Sequence, residues 1–287
     1  MNKKIQTVII GTSLTEMSDP VVESGLRVAR AAGAKVVLVH AFQPRMAYGG
    51  DTPYMAEIVL VEALEAERKL AERRLEEQID RLRIRGEELA GRMVEQGSPH
   101  RILIGIAEAL DADLLVVGSA ESPRLAKMLG STADRVIRKS LRPVLLVRGP
   151  LEIPFRKVLL PVDLSLLSGE AFRRGLALLE PLAAPDAQWE ALYVMASEDP
   201  GIFAVASPCE MDEEKVTRDV ERFVAQNASR SGRPVSAQVV QGEVEAAIRT
   251  RGAEWRADLV VLGTHGRGGF ERFLLGSVAS DVVHRGT

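Results

Sequence analysis

The sequence predicts an α/β protein with two tandem, open, doubly wound parallel sheets, in domains at residues 1–150 and 151–287. Three observations support this prediction: the length, an internal repeat and the alternation of strand and helix patterns. The chain has 287 residues, about twice the usual size of one domain. Short apolar runs alternate with helical patterns in each half, and strands separated by helices pair in parallel through right-handed crossovers.

The internal repeat is the strongest of these observations. The segment TVIIGTSLT at residues 7–15 is similar to KVLLPVDLS at residues 157–165, and ADLLVVGS at 112–119 is similar to ADLVVLGT at 257–264. The order and nearly the spacing of the similar segments are kept along the whole chain. We therefore interpret the protein as a tandem duplication, with the joint near Gly149-Pro150.

The second half shows the individual elements most clearly. Continuous apolar runs predict buried strands, and apolar residues at helical spacing predict amphipathic helices. Either Ser165 or Ser168 is placed to cap the first helix, and Gly232 is placed to end the second in a left-handed conformation. The predicted strands are 158–161, 191–194, 235–241 and 258–262, and the predicted helices lie around 172–179 and 216–224 and at 245–255 and 277–284.

The first half follows the same order but has a longer second helix. Residues 54–88 are nearly free of Gly and Pro and rich in Glu, Arg, Leu and Ala, which predicts one long helix. Opposite charges one turn apart, at Glu65 and Lys69 and at Glu77 and Arg81, indicate a solvated face. We interpret its apolar stripe as packed on its own sheet rather than as a coiled coil. That stripe consists of Leu64, Leu70, Leu75, Ile79 and Leu82.

The run VLLV at residues 144–147 predicts a fifth strand at the edge of the first sheet. The second half reaches Thr287 before any equivalent run, which leaves open whether the chain continues or the second sheet has four strands. A long apolar edge invites pairing with another strand. We therefore expect residues 144–147 to pair with the other half or with a second chain, as an intramolecular pseudo-dimer or a homodimer.

Composition argues against several classes of protein. The net charge of -3 does not fit a nucleic-acid-binding surface, which needs an excess of Lys and Arg. One cysteine, Cys209, can form neither an internal disulfide nor a thiolate metal cluster. The apolar run at residues 8–10 is too short for a signal peptide, and no apolar stretch is long enough to span a membrane. We expect a cytoplasmic protein that binds neither nucleic acid nor membranes.

No pattern in the sequence is typical of an enzyme. We find no nucleophile elbow with a Ser-His-Asp order, no H-E-x-x-H and no paired carboxylates in a glycine-flanked cleft. His100 and His284 have no partner at metal-ligand spacing, and we interpret His40 as a structural residue. The sequence therefore predicts no catalytic and no metal-binding residues.

The candidate ligand site follows the fourth strand of the second half, because open parallel sheets bind ligands at the carboxyl ends of strands. There residues 263–279 read GTHGRGGFERFLLGSVA, a G-x2-G-x9-G-[ST] pattern between a strand and a helix. Glycines let backbone amides converge, and a helix N-terminus favours an anion. Ser277 can add a hydroxyl donor and Arg267 a positive charge. The pattern predicts a phosphate site, although the glycines could instead make tight turns beside a packed helix.

This stretch resembles the signature of the universal stress proteins, as do VLLPVD at residues 158–163 and ADLVVLG at 257–263. The resemblance covers essentially the whole chain, as two such domains. It implies a Rossmann-like, adenine-nucleotide alpha hydrolase-like fold. It also implies binding of ATP (or AMP or ADP) for regulation in stress tolerance, not a defined metabolic reaction. Whether Mg²⁺ accompanies the phosphates stays open.

The resemblance also implies residue roles by position. Phosphate contacts fall to Gly266, Gly276, Ser277 and Val278. Ribose and adenine would lie beside Gly263 and Asp163, with the backbone of Val194 facing the base. His265 either touches a phosphate or is a solvated spacer. The full set of predicted binding residues is Pro161, Val162, Asp163, Val194, Gly263, His265, Gly266, Arg267, Gly268, Gly276, Ser277 and Val278.

The first half departs from this pattern. Ser13 stands where the second half has Asp163, Glu121 stands where it has Gly266, and the loop is one residue shorter. A carboxylate repels a phosphate, and Pro123 lacks an amide donor. We predict that the first site is degenerate for nucleotide and leave open whether it holds another ligand.

Three functions from different classes fit these patterns. The first is a nucleotide-sensing regulatory protein, the second an interaction module without nucleotide, and the third a slow ATPase or nucleotidyl transferase. The complete loop with Asp163 favours the first over the second. The lack of a general base and of metal-binding carboxylates disfavours the third.

Overall fold

The computed structural model divides into two compact units, Lys4–Leu151 and Glu152–Thr287. Side chains are not described for residues 53–60, which lie in a helix. The residues described are 4–43, 53–119, 129–196, 213–229, 232–264 and 276–285. None of the helices in these ranges is long and apolar enough to cross a membrane.

The first unit alternates strands and helices, and its parallel sheet has the order β3-β2-β1-β4-β5. The side of the sheet that carries Ile9 packs on α3 and α4, while the side that carries Ile10 faces α1. Helices therefore cover both faces. The elements are β1 (Thr7–Gly11), α1 (Asp19–Ala32), β2 (Lys35–Phe42), α2 (Pro53–Arg81), β3 (Leu89–Gln96), α3 (Pro99–Ala109), β4 (Leu114–Gly118), α4 (Ser131–Lys139) and β5 (Val144–Val147).

The second unit repeats this plan with a parallel sheet of order β8-β7-β6-β9 among the described residues. Leu159 and Leu192 pack on α7 and α8, and Leu160 lies on the side that faces α5. The prediction of two open, doubly wound parallel sheets is confirmed. The elements are β6 (Phe155–Val162), α5 (Leu166–Leu179), β7 (Ala183–Ala196), α6 (Glu213–Ala228), β8 (Ser236–Gly242), α7 (Val244–Trp255), β9 (Leu259–Val260) and α8 (Ser277–Arg285).

The long helix α2 ends earlier than residue 88, where the sequence predicts its end. Arg83 adopts φ 51°, and Ile84 donates its N–H to the carbonyl of Ile79 at 3.0 Å. These features form the left-handed helix end that usually contains glycine. Packing on the sheet is confirmed for Leu75 and Ile79, which are buried, whereas Leu70 is 40% exposed.

The predicted fifth strand is also present. Strand β5 pairs in parallel with β4, with Leu145 opposite Val116, and it is the last strand in the order of the first sheet. Pairing of its outer edge with the other half or with a second chain stays a prediction.

Three details of the second unit refine the predicted elements. Ser165, not Ser168, is the N-cap of α5, and its Oγ accepts the N–H of Ser168 at 3.1 Å. Helix α6 ends at Ala228, before Gly232, which nevertheless has φ 67°. Strand β7 (Ala183–Ala196) is longer than the predicted 191–194, and β9 (Leu259–Val260) is shorter than the predicted 258–262.

In the second unit a buried carboxylate pairs with a guanidinium whose side chain is 28% exposed. Arg251 on α7 donates two hydrogen bonds to Glu190 on β7, with Nε–Oε1 2.7 Å and a second N–O distance of 2.5 Å. Glu190 is 5% exposed and lies opposite Leu159 of β6. The position opposite the equivalent Ile9 in the first unit is Val37, so an ion pair occupies a place that is aliphatic in the other half.

The two units share three of their positive-φ positions. One follows the first strand of each unit, one lies at or just after the end of the third strand, and one follows the third helix. These residues occur at matching places in the repeat: Leu14 and Leu164, Gly97 and Gly242, and Asp111 and Arg256.

Candidate functional site

The candidate site lies at the carboxyl ends of β6 and β9. After β6 the chain adds β7 and β8 on one side of the sheet and then returns to place β9 on the other side. The strand order therefore reverses between β6 and β9, which is where open α/β sheets bind ligands. Leu159 pairs with Val260, so the segments that follow both strands leave the sheet side by side.

Asp163 follows β6 and is held firmly. Its Oδ1 accepts the N–H of Ser165 at 2.9 Å, and its own N–H donates to Oγ of Ser168 at 3.2 Å. Leu164, which lies between Asp163 and Ser165 in the chain, has φ 62°. The aspartate thus sits at the strand end with both its backbone and its carboxylate tied to the start of α5.

The two ends of the glycine loop are joined by a backbone hydrogen bond. Gly276 donates its N–H to the carbonyl of Thr264 at 2.9 Å, and its carbonyl accepts the N–H of Ser280 at 2.8 Å. Gly276 therefore closes the loop with its amide. The amides of Ser277 and Val278 follow in the first turn of α8, where N–H groups have no intrahelical acceptor.

The structure brings eight of the twelve predicted binding residues to one edge of the second sheet. They come from the end of β6, from β7, from the segment after β9 and from the start of α8. Val162 pairs with Tyr193, so Val194 is the next residue toward the carboxyl end of β7. The eight are Pro161, Val162, Asp163, Val194, Gly263, Gly276, Ser277 and Val278. His265, Gly266, Arg267 and Gly268 lie outside the described residues.

The first unit keeps the same turns without the carboxylate. Gly130 donates its N–H to the carbonyl of Ser119, as Gly276 does to Thr264. Ser13 replaces the aspartate, and its hydroxyl lies 2.9 Å from that of Thr15. Glu121 and Pro123, on which the predicted loss of nucleotide binding rests, lie outside the described residues.

In the first unit, a buried polar network joins α2 to the residues that follow β1. The sequence analysis did not predict it. Gln78 of α2 is 0% exposed. Its Oε1 accepts from Oγ1 of Thr12 at 2.8 Å, and its Nε2 donates to Oγ of Ser18 at 3.2 Å and to Oδ1 of Asp19 at 2.7 Å. Nothing in the sequence distinguishes this glutamine from the solvated polar residues around it in α2.

Three titratable side chains away from the candidate site, those of His40, His100 and Glu245, have hydrogen-bond partners. Nδ1 of His40 lies 2.9 Å from the carbonyl of Thr12, which fits the structural role predicted for it. Burial lowers the pKa of His100, whose ring bonds Ser98. A hydrogen bond with Glu243 raises the pKa of Glu245 at the start of α7. Within the described ranges, no cluster of His, Cys, Asp and Glu side chains is arranged to hold a metal ion.

Comparison with known proteins shows the same duplication. The sequence model of the universal stress protein family matches residues 4–148 and again residues 154–287. A universal stress protein of Mycolicibacterium smegmatis is 28% identical, over 98% of this chain and 94% of its own length. A universal stress protein of Mycobacterium tuberculosis is 30% identical over 61% of this chain and 59% of its own length. The resemblance to a tandem member of this family is confirmed.

The fold is also similar to that of solved structures. The crystal structure of a universal stress protein from Archaeoglobus fulgidus superposes with a TM-score of 0.66 at 18% identity, covering 99% of this chain and 96% of that one. A universal stress protein structure from Pseudomonas aeruginosa gives a TM-score of 0.64 at 14% identity, covering 99% and 91%. Both likenesses concern the fold.

Proposed function

The chain belongs to the universal stress protein family, and we propose that it is a non-catalytic regulatory protein whose second unit binds an adenine nucleotide. The observation that carries this proposal is the bond from Gly276 to Thr264, 2.9 Å long. It holds the first turn of α8 next to Thr264, four residues after the end of β9, on the side of the sheet where strand order reverses. A helix N-terminus at that point favours the phosphates of a nucleotide.

Asp163 supports a nucleoside rather than phosphate alone. Its carboxylate is fixed at the end of β6 by the N–H of Ser165, 2.9 Å from Oδ1. A carboxylate at a strand end is well suited to accept hydrogen bonds from ribose hydroxyls. We assign the ribose and base to the ends of β6 and β7, and the phosphates to the loop and to Ser277 and Val278.

The decisive experiment is calorimetric titration of the Gly266→Glu variant with ATP. The substitution copies Glu121 of the first half and places a carboxylate and a Cβ among the phosphates. Losing two charge-assisted hydrogen bonds costs roughly 3 kcal/mol or more, so we expect ATP affinity to fall by about 100-fold or more. Glu121→Gln is the matched control and should leave the affinity unchanged. An unaltered affinity in Gly266→Glu would overturn the assignment.

The stoichiometry tests the difference between the halves. Because the first half has Ser13 in place of Asp163, we expect one ATP per chain. Two equivalent sites per chain would contradict the proposal. Mass spectrometry of gently purified protein should detect adenine nucleotide in amounts no greater than one per chain, and phosphate release on incubation with ATP would favour the slow ATPase instead.

A further inference from the structure

An exposed apolar tip stands beside the candidate site. Leu166 is 92% exposed and Leu167 44% exposed at the start of α5. The equivalent positions of the first unit hold Glu16 and Met17, which is 40% exposed. The two adjacent leucines form a small contiguous apolar patch, which is a candidate contact for another molecule.

Hydrogen bonds hold the backbone of the tip in place. Ser165 caps α5 by accepting the N–H of Ser168 at 3.1 Å. Asp163 contacts both serines through its carboxylate and its N–H, at 2.9 and 3.2 Å. A preorganised contact loses little conformational entropy on association. Leu166 is therefore well placed to insert into an apolar pocket.

A pocket of suitable size lies in the first unit. It has a volume of about 160 Å³ and is lined by Phe42, Val61, Leu64, Glu65, Arg68 and Gln96. The pocket is open to solvent, and Glu65, Arg68 and Gln96 give it a polar rim beside its apolar residues. A volume of about 150 Å³ takes a molecule the size of benzene, and the four side-chain carbons of leucine are fewer than the six of benzene. The pocket can thus accommodate Leu166 of a second copy.

The charges that follow these residues are complementary. Along α5, Leu166 is followed at intervals of four residues by Glu170 and Arg174, whose side chains are exposed and 3.9 Å apart. Along α2, Leu64 is followed at the same intervals by Arg68 and Glu72, exposed and 3.1 Å apart. Residues four apart lie on one face of a helix. When the two helices lie parallel, Glu170 falls opposite Arg68, and Arg174 falls opposite Glu72.

We propose that α5 of one copy docks in parallel on α2 of a second copy, with Leu166 in the pocket and the two charge pairs crossed. The contact joins different surfaces of the two copies, so each copy retains one free half of the interface for the next. Such a heterologous contact builds rings or open chains of molecules.

The first test is sedimentation velocity across a range of protein concentrations, without nucleotide. We expect the wild-type mass to rise with concentration and the Leu166→Asp variant to associate at least about 100-fold more weakly, as for the loss of a buried anchor. Met17→Asp, in the matching loop of the first unit, is the control and should associate as the wild type does. A wild type that stays monomeric would overturn the proposal.

The second test exchanges charges. Reversing the charges on one helix of the interface should weaken association roughly tenfold. On α5 the double variant is Glu170→Arg with Arg174→Glu, and on α2 it is Arg68→Glu with Glu72→Arg. All four changes together should restore association, as should an equimolar mixture of the two double variants. Association of unchanged strength in the double variants would overturn the proposal and favour another surface, such as the outer edge of β5. Neither test contains ATP, so a failure of the nucleotide assignment would leave both results unaffected.

Discussion

The two units place the same strands side by side but fill the middle of the second strand differently. In the first unit Val37 lies opposite Ile9 in a cluster that includes Ile106. In the second unit Glu190 lies opposite Leu159 and is held by Arg251. The fold therefore tolerates a buried carboxylate at this position when a partly exposed arginine donates two hydrogen bonds to it.

Breaking that pair should produce the largest effect. Arg251→Ala leaves Glu190 buried without its partner and should lower the free energy of unfolding of the second unit by about 3 kcal/mol, the low end for a buried pair because the Arg251 side chain is 28% exposed. Both tryptophans, Trp189 and Trp255, lie in this unit, so the midpoint of urea unfolding followed by tryptophan fluorescence measures it separately.

The matched control copies the first unit. Glu190→Val combined with Arg251→Ile should unfold within about 2 kcal/mol of the wild type or be more stable, because aliphatic side chains replace a buried pair without leaving a charge. If the single and double variants are equally unstable, the comparison between the two cores is wrong.

A second comparison concerns glycines at the same place in α1 and α5. A Cβ on Gly25 would overlap Cδ1 of Ile10 and would also lie 2.8 Å from its Cγ1, and Ile10 is fully buried. A Cβ on Gly175 would lie 2.7 Å from Cγ1 of Val261, which is only half buried and can shift. Gly25→Ala should destabilise its unit by roughly 1–3 kcal/mol.

In Gly175→Ala, we expect the better helix propensity of alanine, worth about 1 kcal/mol, to offset most of the clash. Hydrogen exchange of peptides from β1 and β6 measures the two units in one sample. Equal losses of protection would show that burial of the neighbouring side chain does not decide the cost.

A third comparison concerns two aspartates at the amino ends of β4 and β9. Oδ2 of Asp113 accepts the N–H groups of Gln6 and Thr7 at 2.8 and 3.1 Å, and Oδ2 of Asp258 accepts those of Arg156 and Lys157 at 2.7 and 2.9 Å. Neutral amides bind N–H groups about half as strongly as carboxylates.

Because Asp113 is buried and Asp258 exposed, we expect Asp113→Asn to cost about 1–2 kcal/mol and Asp258→Asn about 0.5 kcal/mol. Urea unfolding followed by circular dichroism for the first and by tryptophan fluorescence for the second measures these costs. A larger cost for Asp258→Asn would contradict the prediction.

The smallest effect concerns pH. In the first unit a hydrogen bond from Arg30 to Glu88 lowers the pKa of that carboxyl from 4.5 to about 2. The pair therefore stabilises the folded state above pH 4.5, and this stabilisation is lost as the pH falls toward 2. Because the Arg30 side chain is 47% exposed, solvent screening limits this stabilisation to about 1 kcal/mol.

Glu88→Gln should therefore lower the unfolding midpoint of the first unit at pH 7 but not at pH 2. In the second unit Arg233 contacts the carbonyls of Ala184 and Glu180 instead, and carbonyls do not titrate. The variant should leave tryptophan fluorescence midpoints unchanged at both pH values, and a change there would contradict the assignment.

Periodicity and the repeat were enough to predict the fold, because they depend on apolar runs that each half carries. The sequence could not show where α2 ends, since Arg83 takes a conformation usually signalled by glycine. It could not show that Gln78 and Glu190 are buried, because their partners lie far away in the chain and polar residues are usually exposed.

The same distinction applies to the candidate site. Asp163, Ser277 and their neighbours could be located by motif because each follows a strand or begins a helix. The use of the Gly276 amide by Thr264 could not be foreseen, because a motif identifies a turn and not which of its amides already has an acceptor. Because the Gly276 amide already donates to Thr264, the amides of Ser277 and Val278 are the ones in this turn that a phosphate could use.

The paired left-handed leucines, Leu14 and Leu164, bear on the history of the chain. A leucine in this conformation costs about 1–2 kcal/mol relative to ordinary backbone, yet both halves have it at φ 62°. Independent origin of the same costly turn at matching places is improbable beside inheritance from one ancestral domain. The turn then predates the duplication, whereas the serine or aspartate before it records divergence afterwards.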